Sequence, residues 1–266
     1  MKLRTLAAAG LLVCALTLHT AAAPIVVGGT ELPASTHTFV VNNSTYVPLR
    51  AVAQLLAPDA VISWANGTAT VSTPALTLTA KPGESWLCAN GRYFYLPDGV
   101  KTVGGHLYVH VRVLAAAMGG SVHWNAATGA ITVNRGSGVP AAATYSDSDV
   151  YWLSRIISAE SQGEPLLGKL AVGTVVLNRV ASSQFPNTVY DVIFDRKWAI
   201  QFTPVANGTI YATPTAESII AAKLCLEGAR AAGNALYFLD PSQSTNFWVV
   251  NNRPYITTIG CHQFYA

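Results

Sequence analysis

Charge is scarce in this chain. Of its 266 residues only 11% are Asp, Glu, Lys or Arg, the formal charge is +3, and like charges never cluster into a run. The basic field that grips nucleic acid is therefore missing, and no nucleic-acid partner is expected. Cysteine is equally sparse. Cys14 lies in an apolar N-terminal stretch, which leaves Cys88, Cys225 and Cys261. An odd number means that at least one has no partner within the chain. Cys225 and Cys261 either bridge in an oxidising compartment or stand as two separate thiols. After His123 the only histidine is His262, and His37, His106, His110 and His123 show no ligand spacing. A zinc centre needs several ligands close together, so neither a metal nor any other cofactor is expected. A Gly-x-Ser-x-Gly elbow is absent, as is any apolar run after the first two dozen residues that is long enough to span a membrane.

What is present begins with a leader. Lys2 and Arg4 precede the apolar stretch Leu6 to Leu18, and Thr20-Ala-Ala-Ala supplies a small-residue exit. Residues 1–23 therefore read as a secretory signal, cut between Ala22 and Ala23. Once it is removed, a secreted protein without a membrane span is expected.

Residues 24–135 carry an internal repeat. Thr38-Phe-Val-Val-Asn-Asn-Ser-Thr-Tyr46-Val-Pro-Leu-Arg50 corresponds to Val103-Gly-Gly-His-Leu-Tyr108-Val-His-Val-Arg112. Each copy continues with an Ala/Leu-rich helix, a strand ending in Trp64 or Trp124, a turn and a Thr/Val strand. The turn chemistry predicts two hairpin-helix-strand-strand units. Trp64, Trp86 and Trp124 are candidates to stack on sugars; for Trp64 and Trp124, at equivalent positions, core packing is the preferred expectation. This arrangement resembles the stalk domain first described at the N-terminus of copper amine oxidases, with His110 where the second copy usually has Pro. The resemblance implies a wall-binding or spacing module; the copper of that name belongs to another domain.

A small-residue linker covers 136–146, and from residue 147 to 266 the pattern turns helical and then strand-like. Val150, Leu153, Ile156 and Ile157 recur at helical spacing over about 147–160, with Asp147 or Asp149 placed to cap the start. Gly163 ends that helix, and Pro165 is expected at the first position of the next, over about 165–181. The apolar stripe Leu167, Leu170, Ala171, Val175 and Leu177 runs along it. A loop and short helix follow from Pro186 to Phe194, and then a helix capped by Thr213 runs to about Ala232. A strand over Ala235–Leu239 and a hairpin around Gly260 complete the chain. The fold class is α+β: a small β-rich repeated stalk domain followed by a lysozyme-like α+β domain.

Glu160 stands at the C-terminal end of the first of these helices, three residues past Ile157. Burial and the negative end of the helix dipole both raise a carboxyl pKa there, and a proton retained near neutral pH suits a general acid. Zinc chemistry lacks ligands, and thiol chemistry requires Cys261 and His262 to meet although strand neighbours face opposite ways. Carboxylate chemistry on a polymer remains.

The segments Ser158-Ala-Glu160-Ser-Gln-Gly-Glu-Pro165, Ala171-Val-Gly-Thr-Val-Val-Leu-Asn-Arg179-Val, Phe185-Pro-Asn-Thr-Val, Gln201-Phe-Thr-Pro-Val and Arg253-Pro-Tyr-Ile-Thr-Thr-Ile-Gly260-x-His262 occur in that order. Together they resemble the SleB/CwlJ family of cell wall hydrolases, over roughly residues 147–265. The resemblance implies cleavage of peptidoglycan glycan strands between N-acetylmuramic acid and N-acetylglucosamine, with recognition of muramic-δ-lactam in spore cortex. It also admits an accessory germination protein as a partner, and a location in the cell wall or the spore cortex and coat. Glu160 is the implied catalytic acid. Many relatives follow that Glu with Ala-Arg; here Ser161-Gln162 stand instead. Substrate-binding candidates are Glu164, Gln201, Phe202, Thr203, Tyr237, Phe238 and His262, with Glu164 weighted toward helix capping or wall support. One of Tyr237 and Phe238 is expected to point inward, by strand alternation. Arg179 and Asn178 are expected in structural roles at a helix end. A water-using muramidase or glucosaminidase needs a second carboxylate, for which Glu164 is the sequence candidate. A non-catalytic wall-binding protein is the other alternative.

Overall fold

The computed structural model describes residues 23–197 and 200–266. The leader reading thus falls, Ala23 apart, outside the described residues. Among the described residues no helix is long and apolar enough to cross a membrane.

The repeat builds the first half about a local two-fold. Strand Ser44–Pro48 of the first copy pairs antiparallel with His106–His110 of the second, and the outer strands Phe39–Val41 and Lys101–Val103 complete a four-stranded sheet. Val47 faces its own repeat equivalent Val109, while Tyr46 faces His110 and Pro48 faces Tyr108. That register is the one a two-fold through the Val47–Val109 pair requires. The strands feed helices α1 (Leu49–Leu56) and α2 (Val111–Ala117). Pro48 (φ −62°, ψ 121°) and His110 (φ −63°, ψ 124°) take the same backbone at the two joints. The histidine in place of proline therefore leaves the joint unchanged, since proline only pre-sets a φ that His110 adopts anyway. Val47, Val52, Leu78, Leu87, Val109 and Leu114 sit in the core beneath.

The expected burial of Trp64 and Trp124 is corrected. They are 56% and 53% exposed. Their strands, Val61–Ala65 and Ser121–Trp124, lie at sheet edges; each Trp shares a strand face with Ile62 or Val122, which pack against the core, but stands two residues farther along, toward the strand end, where it lines a groove instead. Between the copies, strands Thr77–Ala80, Trp86–Ala89 and Arg92–Tyr95 extend the sheet of the first copy to five strands. Trp86, Tyr93 and Tyr95 from this extension pack against a second core, in the C-terminal half.

That second core is helical. It is built on α3 (Asp147–Ser161), α4 (Leu166–Ala181), α5 (Val189–Ile193), α6 (Thr203–Asn207) and α7 (Ala216–Leu226), while α8 (Trp248–Asn252) lies outside it with no buried residue. A three-stranded sheet follows in the order Tyr237–Leu239, His262–Tyr265, Tyr255–Ile259. Several caps sit one or two residues from their expected places. Ser146 rather than Asp147 or Asp149 caps α3, in a reciprocal box with Asp149. Pro165 is the N-cap of α4 instead of its first residue. Thr215 rather than Thr213 caps α7, which ends at Leu226 because Gly228 turns the chain at φ +100°. The stripe on α4 is also revised: Leu167 is 47% exposed while Lys169 is 1% exposed.

The halves are tied by one carboxylate. Arg92 forks onto both oxygens of Glu227, and Tyr145 of the linker donates to the same group at 2.6 Å. Lys223 donates to the Gly91 carbonyl at 3.2 Å. Among the described residues all three cysteines are free, so Cys225 and Cys261 do not bridge; Cys225 is buried and Cys261 exposed.

Candidate active site

Helix α3 places Glu160 because its apolar residues leave it no alternative. Leu153, Ile156 and Ile157 are fully buried, and Glu160, one turn beyond Ile157, emerges at the rim of the core. The turn after it is braced from below. The Lys169 ammonium donates to the carbonyls of Gln162 (3.2 Å) and Glu164 and pairs with Glu217 at 2.9 Å. These contacts satisfy carbonyls that the end of α3 leaves without helical partners.

Glu160 stands where two cavities meet. One, of about 280 Å³, is lined by Glu160, Arg179, Gln201, Phe202, Thr203, Phe238, Asp240 and His262 among others. A second, of about 420 Å³, shares Glu160 and Thr203 with it and adds Arg155, Ser158 and Gln162. A third, of about 590 Å³, continues from Arg179, Gln201 and Phe238 toward Phe185, Tyr237, Trp248 and Arg253. The three cavities thus adjoin through shared wall residues, with Glu160 on the wall between the first and the second, a geometry compatible with a chain polymer on both sides of a cut.

Burial raises the Glu160 carboxyl to about 7, against the opposing pull of the Arg179 charge. Arg179 is itself buried, which lowers its guanidinium to about 10, so it remains a cation at neutral pH. Its Nε donates to the Leu236 carbonyl at 2.7 Å, and its guanidinium carbon lies 4.9 Å from the Phe185 ring, 5.1 Å from Phe202 and 5.5 Å from Tyr237. The sequence reading gave Arg179 a helix-end role only. Its neighbour Asn178 is structural through a tertiary contact, donating to the Gly233 and Ala235 carbonyls at 3.0 and 2.9 Å. Arg179 also lines the cavity of Glu160.

Five of the sequence candidates, Gln201, Phe202, Thr203, Phe238 and His262, come together with Glu160. Phe202 is largely a core residue. His262 is buried, with Nδ1 lacking a protein partner, and its ring stands edge-on to Phe238 at 5.2 Å. Burial lowers its pKa, opposed by Glu164 and Asp240. Strand alternation sends Phe238 toward Phe264 and the Glu160 cavity, whereas Tyr237 faces Arg253 and Trp248 in the adjoining cavity. Both remain half-buried, so neither points wholly inward.

Among the described residues that line the three cavities Glu164 is not found; its contacts are with the terminal hairpin and the start of α4. Its Oε1 accepts from the Cys261 N–H at 3.1 Å. Burial alone would raise its pKa, but the Cys261 N–H and thiol, with His262 and Lys169, outweigh that and hold it below the ordinary value. The carboxylate occupies the room left by two glycines: a Cβ on Gly260 would lie 1.5 Å from Oε2, and one on Gly168 would lie 2.8 Å from it. Glu164 thus braces the terminal hairpin against the start of α4.

Asp240 was not singled out from the sequence. It is the other carboxylate lining the cavity of Glu160, and hydrogen bonds from the Ser242 hydroxyl and N–H lower its pKa. The Asp-Pro-Ser run after a strand is the turn signal that pointed to its location but not to its neighbour. Ser161 is buried and back-bonded to the Ile157 carbonyl at 2.6 Å. Arg155 brings a cation to the cavity next to Glu160.

Comparison with known proteins bears on both halves. The family described as Cell Wall Hydrolase matches residues 163–265, and that described as Copper amine oxidase N-terminal domain matches residues 26–133. A spore cortex-lytic enzyme of Bacillus cereus is 43% identical over 131 residues, which is 49% of this chain and 48% of that protein. The cell wall hydrolase CwlJ of Oceanobacillus iheyensis is 30% identical over 103 residues, 36% of this chain and 72% of that protein. The solved catalytic domain of the germination-specific lytic transglycosylase SleB from Bacillus anthracis is 41% identical and wholly covered, over 47% of this chain, with a TM-score of 0.43. The chain spans about half the length, or less, of the curated spore cortex-lytic enzymes it matches.

Proposed function

The chain belongs to the SleB/CwlJ family of cell wall hydrolases, and on that premise we propose that it cleaves peptidoglycan glycan strands of the spore cortex as a lytic transglycosylase. The single observation that carries the reading is Glu160: a carboxylic acid held to about 7, on the wall shared by two adjoining cavities. At neutral pH much of it is protonated, which suits donation to the glycosidic oxygen between N-acetylmuramic acid and N-acetylglucosamine. The resulting carboxylate then takes the proton from the muramic C6 hydroxyl. That oxygen closes on C1, and a 1,6-anhydro end is left without consumption of water. Gln201 and Thr203 offer hydrogen bonds to N-acetyl and hydroxyl groups beside Glu160, and the Phe238 face offers a surface to a sugar ring. The buried Arg179 cation favours the carboxylate produced by the first proton transfer. Export by the N-terminal leader would bring the enzyme to the wall or cortex.

Asp240 favours a second reading. It is a charged carboxylate in the same cavity, and a water held there would give hydrolysis instead. Mass spectrometry of muropeptides released from cortex and from vegetative sacculi separates the two. Anhydromuramic ends support transglycosylation, whereas reducing ends overturn it in favour of Asp240-assisted hydrolysis. An undiminished yield from the Glu160→Gln variant would overturn both.

A further inference from the structure

The local two-fold of the N-terminal half generates two equivalent grooves. In the first, of about 380 Å³, Arg50, Ile62 and Trp64 of one repeat face Thr102 and Leu107 from the hairpin of the other. In the second, of about 390 Å³, Arg112, Val122 and Trp124 face Val40 and Thr45. Each residue of one set is the repeat equivalent of a residue in the other. The cross-strand partners correspond as well: Ala69 lies opposite Trp64 and Ile131 opposite Trp124, and both line their grooves. The arginines are held alike, Arg50 donating to the Ile62 carbonyl and Arg112 to the Val122 carbonyl, each at 3.4 Å. Each repeat thus completes the other's groove, and neither groove exists in a single copy.

We propose that Trp64 and Trp124 are the platforms of a bivalent glycan-binding surface, whose ligand is the N-acetylated glycan strand of peptidoglycan with its carboxylate-bearing stem peptides. Exposed indoles on concave walls suit the C–H faces of pyranose rings, which pack on an aromatic face and keep their hydroxyls in water. Charge complementarity selects, among sugars, a wall glycan that carries acidic stem peptides. Each groove carries an arginine and a histidine, and among the described residues neither is lined by a carboxylate. A repeating polymer can engage both grooves, so the second contact is intramolecular and retention exceeds that of either groove alone. The choice of glycan rests on the cleavage reading above; the grooves themselves do not.

The test is sedimentation of the full chain with insoluble peptidoglycan, in a Glu160→Gln background so that nothing is cleaved. Trp64→Ala and Trp124→Ala are expected to weaken retention by on the order of tenfold or more each, with the double variant losing it. A double Trp→Phe variant, which keeps an aromatic face, should restore most of it. Both indoles are exposed, so thermal melting should be unchanged and serves as the folding control. Retention of the double alanine variant at the parental level overturns the proposal. Retention that disappears when covalently attached phosphopolymers are stripped from the sacculi also overturns it, because the ligand is then not the glycan. The two readings fail separately. A parent protein that releases no muropeptide but binds through both tryptophans leaves this proposal standing, whereas one that cleaves while the double variant still binds removes this proposal alone.

Discussion

The Arg179 charge opposes the shift that burial imposes on Glu160, and the carboxyl still stands at about 7. The two groups line one cavity, and the same burial that favours a neutral acid lowers the guanidinium to about 10. Desolvation therefore outweighs a neighbouring opposite charge at this site, the reverse of the ordering at an exposed ion pair.

If Glu160 must carry a proton to act, kcat/KM falls along a descending limb centred near pH 7, the value set by burial. Replacement by Gln should reduce turnover at least ~100-fold, the scale of a general acid's contribution, with the melting temperature retained or raised. Initial rates on cortex fragments between pH 5 and 9 measure the limb. A limb centred near pH 4.5 would remove Glu160 from the role of acid.

Arg179 lowers the Glu160 pKa, so Arg179→Gln is expected to move the descending limb to higher pH. The variant also loses the bond to Leu236 and the contacts with three rings, at a cost of about 1–3 kcal/mol of stability. A pH–rate profile together with a denaturant melt reads both effects. An unmoved limb would mean that Arg179 serves only as a brace.

Stability itself should depend on pH through Glu160. Its folded pKa is raised above the unfolded value, so the folded state binds the extra proton and its contribution is complete below about 4.5. That contribution is lost as pH rises toward 7, by on the order of 1–3 kcal/mol after allowance for partial exposure. Glu160→Gln should therefore flatten this part of the stability curve. Urea melts of both proteins at pH 4.5, 6 and 8 provide the comparison.

Gly260→Ala should be strongly destabilising. Its φ is +59° and the added Cβ would fall 1.5 Å from the Glu164 carboxylate. Either the hairpin or the carboxylate must move, and the cost is expected above about 2 kcal/mol. Combining it with Glu164→Ala removes the clash and should recover part of the loss. A double-mutant cycle by thermal melting decides this, since strictly additive losses would mean that the two sites are independent.

Removing Arg92 should loosen the two halves. Arg92→Ala strands Glu227 with Tyr145 alone, and losing one partner of a buried pair costs on the order of 3 kcal/mol. Limited proteolysis within residues 136–146 is expected to accelerate. Unchanged cleavage there would show that the aromatic contacts of Trp86, Tyr93 and Tyr95 suffice.

Much of the C-terminal half was legible because its signals are short-range. Helical spacing, cap residues and left-handed glycines act over a few residues, so the end of α3, the extent of α4 and the final hairpin followed from the text, with caps displaced by one or two positions. The placement of Glu160 at the rim of the core was legible for the same reason, being one turn from a buried Ile157 on the same helix face. That Arg179 and Asp240 share its cavity was not. What brings them to that wall is the meeting of α4, the Phe202 region and the strand at Leu239, elements separated by tens of residues.

The same division runs through the repeat. Its two copies could be aligned by eye, because identical local chemistry recurs. That Trp64 and Trp124 stay more than half exposed, although each shares a strand face with the core-packed Ile62 or Val122, depended on where the assembled core ends. By itself the sequence determined the elements, their order and the acid at the end of α3, all consequences of local backbone preference and burial periodicity. Only the tertiary structure decided which side chains share a wall, because that depends on packing between segments with no short-range signal linking them.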